Sequence, residues 1–481
     1  MKTLPFLLSG QWIETPVLLP LQSPWPLHYL KDQTPLASFV AGPDHARQSA
    51  QAAREVLPAM RAMSRFKRAE ALRKIAAEIA AGSDALSQSI CMEAGKPLTL
   101  ARAEVQRAAG VFQIAADEAL RPPGALIHPD REAHGAGLTG RVDYFPIGPV
   151  LGITPFNFPL NLVAHKVAPA LAAGCPIVIK PPPQAPSAAL ALGRIVLQSG
   201  FPLAALQVLT GGFELGQALC SCDEFAALSF TGSAKAGWAI KRNALPRQKV
   251  LLELGGNAAV IVDKSADLSA AVHAVATAGY AYAGQICIST QRVFVDRSVA
   301  DEFERRLAER ILRNVPVSDN PADADTLVGP LIDSAAADRI DQWLALAEAA
   351  GARVLIRGQR RSVNLISPWL LEAVPDNQPL ACEEVFGPVV TLDAVKNLDE
   401  AIARANASKY GLQTSIFTSS MSSAEQAFRE LECGAVLVNL PTTFRLDSQL
   451  YGGIKDSGFG REGIAEVIRE FSQPKLLVAK S

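Results

Sequence analysis

The sequence predicts an α/β protein with a Rossmann-like doubly wound sheet, a second α/β domain and a small β element at its edge. Three observations point there. Short apolar runs alternate with helical stretches from about residue 150, the same alternation restarts after residue 255, and 481 residues exceed what one ordinary core accommodates.

Taken in order, the first third reads as helix-rich. "MSRFKRAEALRKIAAEIAAGSDALSQSICMEA" carries apolar residues at helical spacing with charges between them. "RVDYFPIGPVLGITPF" then alternates and holds Gly-Pro punctuation, which predicts strand and turn. "CPIVIK" is a strand, "SAALALGRIVLQSG" a helix, "LQVLTG" a strand, "FAALSFTGS" a strand and turn, and "KAGWAIKR" the start of a helix. The second unit opens with "NAAVIVD" and continues through "STQRVFVD", the helix "ADEFERRLAERIL", and the strands "SIFT" and "GAVLVN". Residues 121–143 lack a core pattern and are expected to project. With the tail "QPKLLVAK" they offer a strand edge that invites pairing with another subunit.

Composition narrows the class of function. Hydrophobic residues make up 49% and charged residues 19%, as in a large, well-buried globular protein, and the formal net charge of −1 gives no basis for binding nucleic acid or an anionic membrane. Seven cysteines without regular spacing do not form a disulfide framework. The start "MKTLPFLLSGQW" is too short an apolar run for a secretory signal, and no stretch reaches the roughly 20 apolar residues of a membrane helix. A cytoplasmic protein is expected.

Several residues could carry chemistry. Cys287 in "GQICIS" lies between Ile286 and Ile288, where a cysteine is by default a small buried hydrophobe; a nucleophile needs an accessible turn and a neighbour that lowers its pKa. Glu253 closes the apolar run of "LLELGGN". A carboxylate there is either paired or, partly desolvated, suited to general-base work. Asn157 in "GITPFNFPLN" stands on a rigid connection between Pro155 and Pro159, either bonded to its own turn or offering an amide to an oxyanion. "SFTGSAKAG" places Gly232 and Ser233 at a helix start, where backbone N–H groups can hold a phosphate. His165, Cys175, Cys220, Cys222 and Cys382 have bland readings, and no metal is expected.

Together "PFNFP", "IKP", "FTGS", "ELGGN", "GQICIS", "EEVFGP" and "YGGIKDSGFGREG" resemble the aldehyde dehydrogenase superfamily. They stand in its order, with 34 residues from Glu253 to Cys287 and 97 from Cys287 to Glu384, and "EAGKPLTLARAEV" extends the match toward the N-terminus. The resemblance implies that Cys287 is the nucleophile, that Asn157 and the Cys287 backbone N–H hold the oxyanion, and that Glu253 activates the hydrolytic water. It implies a coenzyme groove formed by Ile153, Thr154, Pro155, Phe156, Lys180, Pro183, Gly212, Ser233, Leu254, Glu384 and Phe386. It also implies a substrate channel of Phe158, Ile286, Ile288, Arg445 and Tyr451. The coenzyme domain would comprise residues 1–120 and 144–255, the catalytic domain 256–455, and the oligomerisation element 121–143 and 470–481. A homodimer or homotetramer acting on a small-molecule aldehyde follows. Within the family the segment from Phe444 to Gly458 is similar to the lactaldehyde and phosphonoacetaldehyde dehydrogenase branch.

Two departures refine this. Many NAD-using relatives have glutamate where Pro183 stands; proline cannot accept a ribose hydrogen bond and carries no charge against a 2′-phosphate, so NADP is expected to be accepted and somewhat favoured over NAD. Ile286 is apolar where relatives acting on anionic aldehydes carry arginine, so a small substrate without strong negative charge is expected. Arg445 either restores a positive group or simply pairs with Asp447 or another acid. The competing readings are a coenzyme A-acylating dehydrogenase, which Glu253 disfavours, a non-redox thiol esterase, and a catalytically silent protein on this fold.

Overall fold

The β-branched run Ile177–Lys180 is wholly buried, and such runs form the interior strands of parallel sheets covered on both faces by helices. In the computed structural model, which describes residues 2–24, 36–121 and 124–480, this strand lies near the middle of an eight-stranded sheet. The parts of the delimited domains that fall on residues 1, 25–35, 122, 123 and 481 lie outside the described residues. The sheet's parallel centre runs in spatial order through Lys249–Glu253, Ala227–Thr231, Val150–Ile153, Ile177–Lys180 and Leu206–Val208. Numbered along the chain this is the order 5-4-1-2-3, that of a Rossmann sheet, with its switch point between Val150–Ile153 and Ala227–Thr231.

The edges come from far away in sequence. Phe6–Leu8 adds antiparallel to Leu206–Val208, and Gln11–Ile13 adds to it in turn. Gly458–Phe459 closes the opposite edge on Lys249–Glu253. The N-terminal strands were not expected, because runs of three residues carry too little periodicity to read. The helical spacing over residues 63–94 forms two helices, Arg65–Ala81 and Ser83–Ala94, separated at Gly82.

A second sheet of seven strands is parallel except for its edge strand Arg353–Ile356. At its centre Ala258–Val262 lies between Thr290–Asp296 and Gln413–Phe417. The chain passes from Glu253 through Gly255, Gly256 and Asn257 into Ala258, so the carboxyl edge of the first sheet faces the amino edge of the second. The turn bearing Cys287 enters Thr290–Asp296 from that same amino edge. Its approach is fixed by a left-handed step at Tyr282 and Ala283, φ 54° and 53°, which ends the helix Leu268–Tyr280.

A third sheet pairs Ser472–Lys480 with Leu138–Pro146 over nine residues and adds Ala125–Ile127. It carries exposed Leu126, Phe145, Leu476, Leu477 and Val478. Among the described residues no helix is long and apolar enough to cross a membrane.

Candidate active site

The loop after Val150–Ile153 holds two prolines and cannot continue as helix until Asn161. Within it Asn157 is buried, and its Nδ2 donates to the carbonyl of Gln285 at 3.0 Å, two residues before Cys287. An amide NH₂ has two protons, so one remains for a ligand on the cavity side. The Asn157 Oδ1 is buried without a partner among the described residues.

Cys287 opens into a cavity of about 910 Å³ that Asn157 and Glu253 also line. Its Sγ lies 3.5 Å from the Tyr451 hydroxyl. Burial pushes the thiol up to about 11, and the Tyr451 hydrogen bond offsets part of this. Burial thus favours the thiol over the thiolate in the resting side chain, and activation falls to neighbouring groups. Tyr451→Phe removes a donor that stabilises the thiolate, so the thiol pKa must rise. Titration with a thiol alkylating agent is expected to show the inactivation profile moved to higher pH, by about one unit; an unchanged profile would contradict the contact's role.

Glu253 ends Lys249–Glu253 with its Oε2 buried and unpartnered. Burial, with the charge of nearby Glu462, holds its carboxyl well above the usual range. Glu462 goes the other way: Arg445 donates to it at 3.1 Å and Lys166 lies at 3.6 Å, which keep it ionised. The two carboxyls are thus pushed apart, Glu462 down by its cationic partners and Glu253 up by burial and by the Glu462 charge. Two glycines permit the geometry. A Cβ on Gly256 would stand 2.2 Å from the Cys287 carbonyl oxygen, and Gly452, at φ 143°, would place one 2.8 Å from Glu253 Oε1.

Of the residues singled out in the sequence, Pro155, Phe156, Phe158, Ser233, Leu254, Ile286, Ile288, Glu384, Phe386, Arg445 and Tyr451 line this same cavity with Cys287, Glu253 and Asn157. Ile153, Thr154, Lys180, Pro183 and Gly212 do not; they gather farther along the carboxyl edge of the first sheet. Ile153 is the register partner of Lys180, the Thr154 N–H donates to the Lys180 carbonyl at 3.2 Å, and Gly212 caps the helix Phe213–Cys220. Glu384 accepts from the Gly256 N–H at 3.0 Å, and burial raises its carboxyl to about 7. Phe386, at φ 48°, meets Phe156 edge-on with ring centroids 6.0 Å apart.

The profile of the aldehyde dehydrogenase family matches residues 30–477. The chain belongs to that family. It is an NAD(P)-dependent aldehyde dehydrogenase, an oxidoreductase acting on an aldehyde group. The chain is 37% identical over 452 residues to the 3-sulfolactaldehyde dehydrogenase of Priestia megaterium, covering 93% of each protein. Aldehyde dehydrogenase 21 of Physcomitrella patens, solved with the reaction product succinate, superposes with a TM-score of 0.95 at 37% identity over 100% of this chain and 98% of that one. NADP-dependent glyceraldehyde-3-phosphate dehydrogenase of Bacillus halodurans, solved with NADP, gives 0.94 at 30% identity over the whole of both chains.

An aldehyde dehydrogenase must hold a nicotinamide coenzyme, and the residues present fit one. Thr154 and Thr231 flank the sheet's switch point, and both have buried Oγ1 atoms without a partner among the described residues. The Lys180 ammonium, pushed down to about 8 by burial, bonds among the described residues only to the Pro181 carbonyl. Unsatisfied buried donors at a switch point are what a ribose and a pyrophosphate complete.

The charged surroundings of Arg445 escaped the sequence reading. Arg107 forms a two-point pair with Asp447 at 3.0 and 2.6 Å. His165 Nε2 meets the same carboxylate at 2.9 Å. Arg445 stacks on the Tyr451 ring at 3.8 Å and pairs with Glu462 more closely than with Asp447, which is 4.0 Å away. Arg107 and Asp447 are 340 residues apart, and no local pattern announces such a pair.

Proposed function

We propose that this enzyme oxidises a short aldehyde bearing a distal anionic group to the carboxylic acid, with NADP favoured over NAD. The observation that carries the reading is the convergence of Cys287, Asn157, Glu253, Arg107 and Arg445 on one cavity. Cys287 Sγ attacks the carbonyl carbon, and its proton passes to the Glu253 carboxylate. The carbonyl oxygen becomes an oxyanion, held by the free N–H of the Asn157 amide and the backbone N–H of Cys287. Collapse of this adduct expels a hydride and leaves an acyl thioester on Cys287; a nicotinamide coenzyme, when bound, accepts that hydride. Glu253 releases that first proton to solvent and, ionised again, takes a proton from water, whose oxygen attacks the thioester carbon. The Cys287 sulfur leaves, regains a proton, and the carboxylate departs.

The anionic tail is a departure from what Ile286 alone suggests. Around Arg445, among the described residues, the cations Arg107, Arg445 and Lys166 face two ionised carboxylates. These are Asp447, held far below the usual range by His165 and Arg107, and Glu462. Arg107 and Arg445 both line the cavity, which places two guanidinium groups within reach of an anionic tail. A sulfonate, carboxylate or phosphate also marks the substrates or product that the names of the three relatives print. Pro183 supports the coenzyme preference. The first sheet would serve as the coenzyme half and the second as the catalytic half. The third sheet's exposed apolar strands would serve as the edge for assembly.

A matrix of steady-state assays tests both choices. Propanal and 4-oxobutanoate, each with NAD and NADP, are compared in the parent enzyme and in Arg107→Leu. The parent is expected to prefer 4-oxobutanoate and NADP. Arg107→Leu is expected to lose about 10- to 100-fold in kcat/KM for the anionic aldehyde and under about threefold for propanal. A parent enzyme that prefers propanal, or NAD by tenfold, overturns the corresponding half of the proposal.

A further inference from the structure

The segment "EAGKPLTLARAEV" takes no part in the chemistry above, yet it contains a fully buried ion pair. Lys96 Nζ lies 2.6 Å from Glu104 Oε2, and the two side chains are 1% and 0% exposed. The turn between Ser83–Ala94 and Leu98–Leu120 presents the lysine, and the second of these helices presents the glutamate. A pair so deeply desolvated is weak as a source of stability, since apolar residues of the same volume often serve as well or better. Its remaining hydrogen bonds show what it holds.

Lys96 donates to the Asn157 carbonyl at 2.8 Å, and its ammonium sits 3.4 Å from the centroid of the Phe158 ring. Glu104 Oε1 accepts the N–H groups of Leu160 at 2.9 Å and Asn161 at 3.1 Å. Lys96 also lies 5.1 Å from the Tyr282 ring, and the Tyr282 hydroxyl donates to the Ala94 carbonyl at 2.9 Å. Tyr282 makes the left-handed step into the segment that leads through Gln285 to Cys287. An anion at the start of the helix Asn161–Ala173 accounts for one oxygen of Glu104. It does not account for a cation bonded to the backbone of Asn157 itself.

We propose that Lys96 and Glu104 are positioning residues of the oxidation step: together they clamp the backbone at Asn157 and just beyond it, and set where its amide meets the oxyanion. The inference rests on the reading of Asn157 as an oxyanion donor. An amide fixed only by its own bond to Gln285 could pivot about that bond. With its carbonyl and the N–H groups three and four residues on all held, it cannot. Because oxyanion stabilisation depends on donors already in place, a loosened loop is expected to slow hydride formation at saturating aldehyde more than it weakens binding.

The test is a double-mutant cycle read by stopped flow. Lys96→Met and Glu104→Gln are each made alone and together with Asn157→Ala. The rate of the first turnover of reduced coenzyme is measured at saturating aldehyde, beside coenzyme affinity and thermal midpoint. Each single variant is expected to lose roughly 10- to 100-fold in first-turnover rate with coenzyme affinity within about twofold. In the Asn157→Ala background the same substitutions should cost less than about threefold, because the group they position is gone. A folded Lys96→Met or Glu104→Gln enzyme with the parent rate overturns the proposal. So do losses that add fully to that of Asn157→Ala. If neither variant folds, the pair belongs to stability and the proposal falls. If Asn157→Ala alone leaves the first turnover unchanged, the oxyanion reading fails and takes this inference with it.

Discussion

Cys287→Ala is expected to form reduced coenzyme at least about 10⁴-fold more slowly than the parent with every aldehyde, while coenzyme binding persists. Alanine keeps the Cβ and the turn between Ile286 and Ile288 but removes the one sulfur facing the cavity beside Tyr451. Without it no covalent adduct forms, and the aldehyde C–H has no route to a negatively charged carbon–oxygen centre from which hydride leaves. No other cysteine substitutes. Cys91 and Cys175 are buried, and none of Cys220, Cys222, Cys382 and Cys433 lines the cavity. A continuous spectrophotometric assay, with coenzyme affinity from protein fluorescence, measures both quantities. Turnover within tenfold of the parent would overturn the covalent mechanism.

Glu253→Gln is expected to separate the two halves of the reaction. Glutamine matches the carboxylate in shape, so it fits against Gly452 and leaves the strand unchanged, but it cannot take a proton from water. The first equivalent of reduced coenzyme should appear as a burst, slower than in the parent because the thiol has also lost an acceptor. The following steady state should fall about 10²- to 10⁴-fold. The pH profile carries a second signature. Burial and Glu462 raise the Glu253 pKa, so the basic form accumulates only as pH climbs through that raised value. In the parent, kcat should therefore increase with pH over a limb well above the ordinary carboxylate range, and the limb should disappear in Glu253→Gln. A limb that persists in the variant would assign it to another group.

Much of this architecture was legible in the sequence because it rests on local chemistry. β-branched runs such as "IVIK", the prolines around Asn157 and the paired glycines after Glu253 each force one local conformation, and their order along the chain gave the fold. Cys287, Glu253 and Asn157 stood out as candidates for the same reason, since each lies on or beside a turn of unusual composition. What was not legible is held by contacts across the fold. The N-terminal strands join the large sheet through three-residue runs. Arg107 reaches Asp447 from the far side of the chain, and Glu462 adds by proximity to the rise that burial imposes on the Glu253 carboxyl. Arg445 shows the boundary well. Its place on the cavity was foreseen, but its principal partner is Glu462 rather than the neighbour in sequence, Asp447. Lys96 and Glu104 lie eight residues apart at the end of a helix pattern, and only the packed structure shows that both turn toward Asn157.

The central claim is that an acyl group passes through Cys287 and leaves by the action of Glu253. Intact-mass and peptide mass spectrometry of Glu253→Gln, quenched in acid shortly after mixing with NADP and aldehyde, tests it most directly. The account predicts close to one acyl group per chain, on the peptide containing Cys287, formed in step with the burst of reduced coenzyme. A burst with unmodified Cys287, or an acyl group on any other residue, would contradict it.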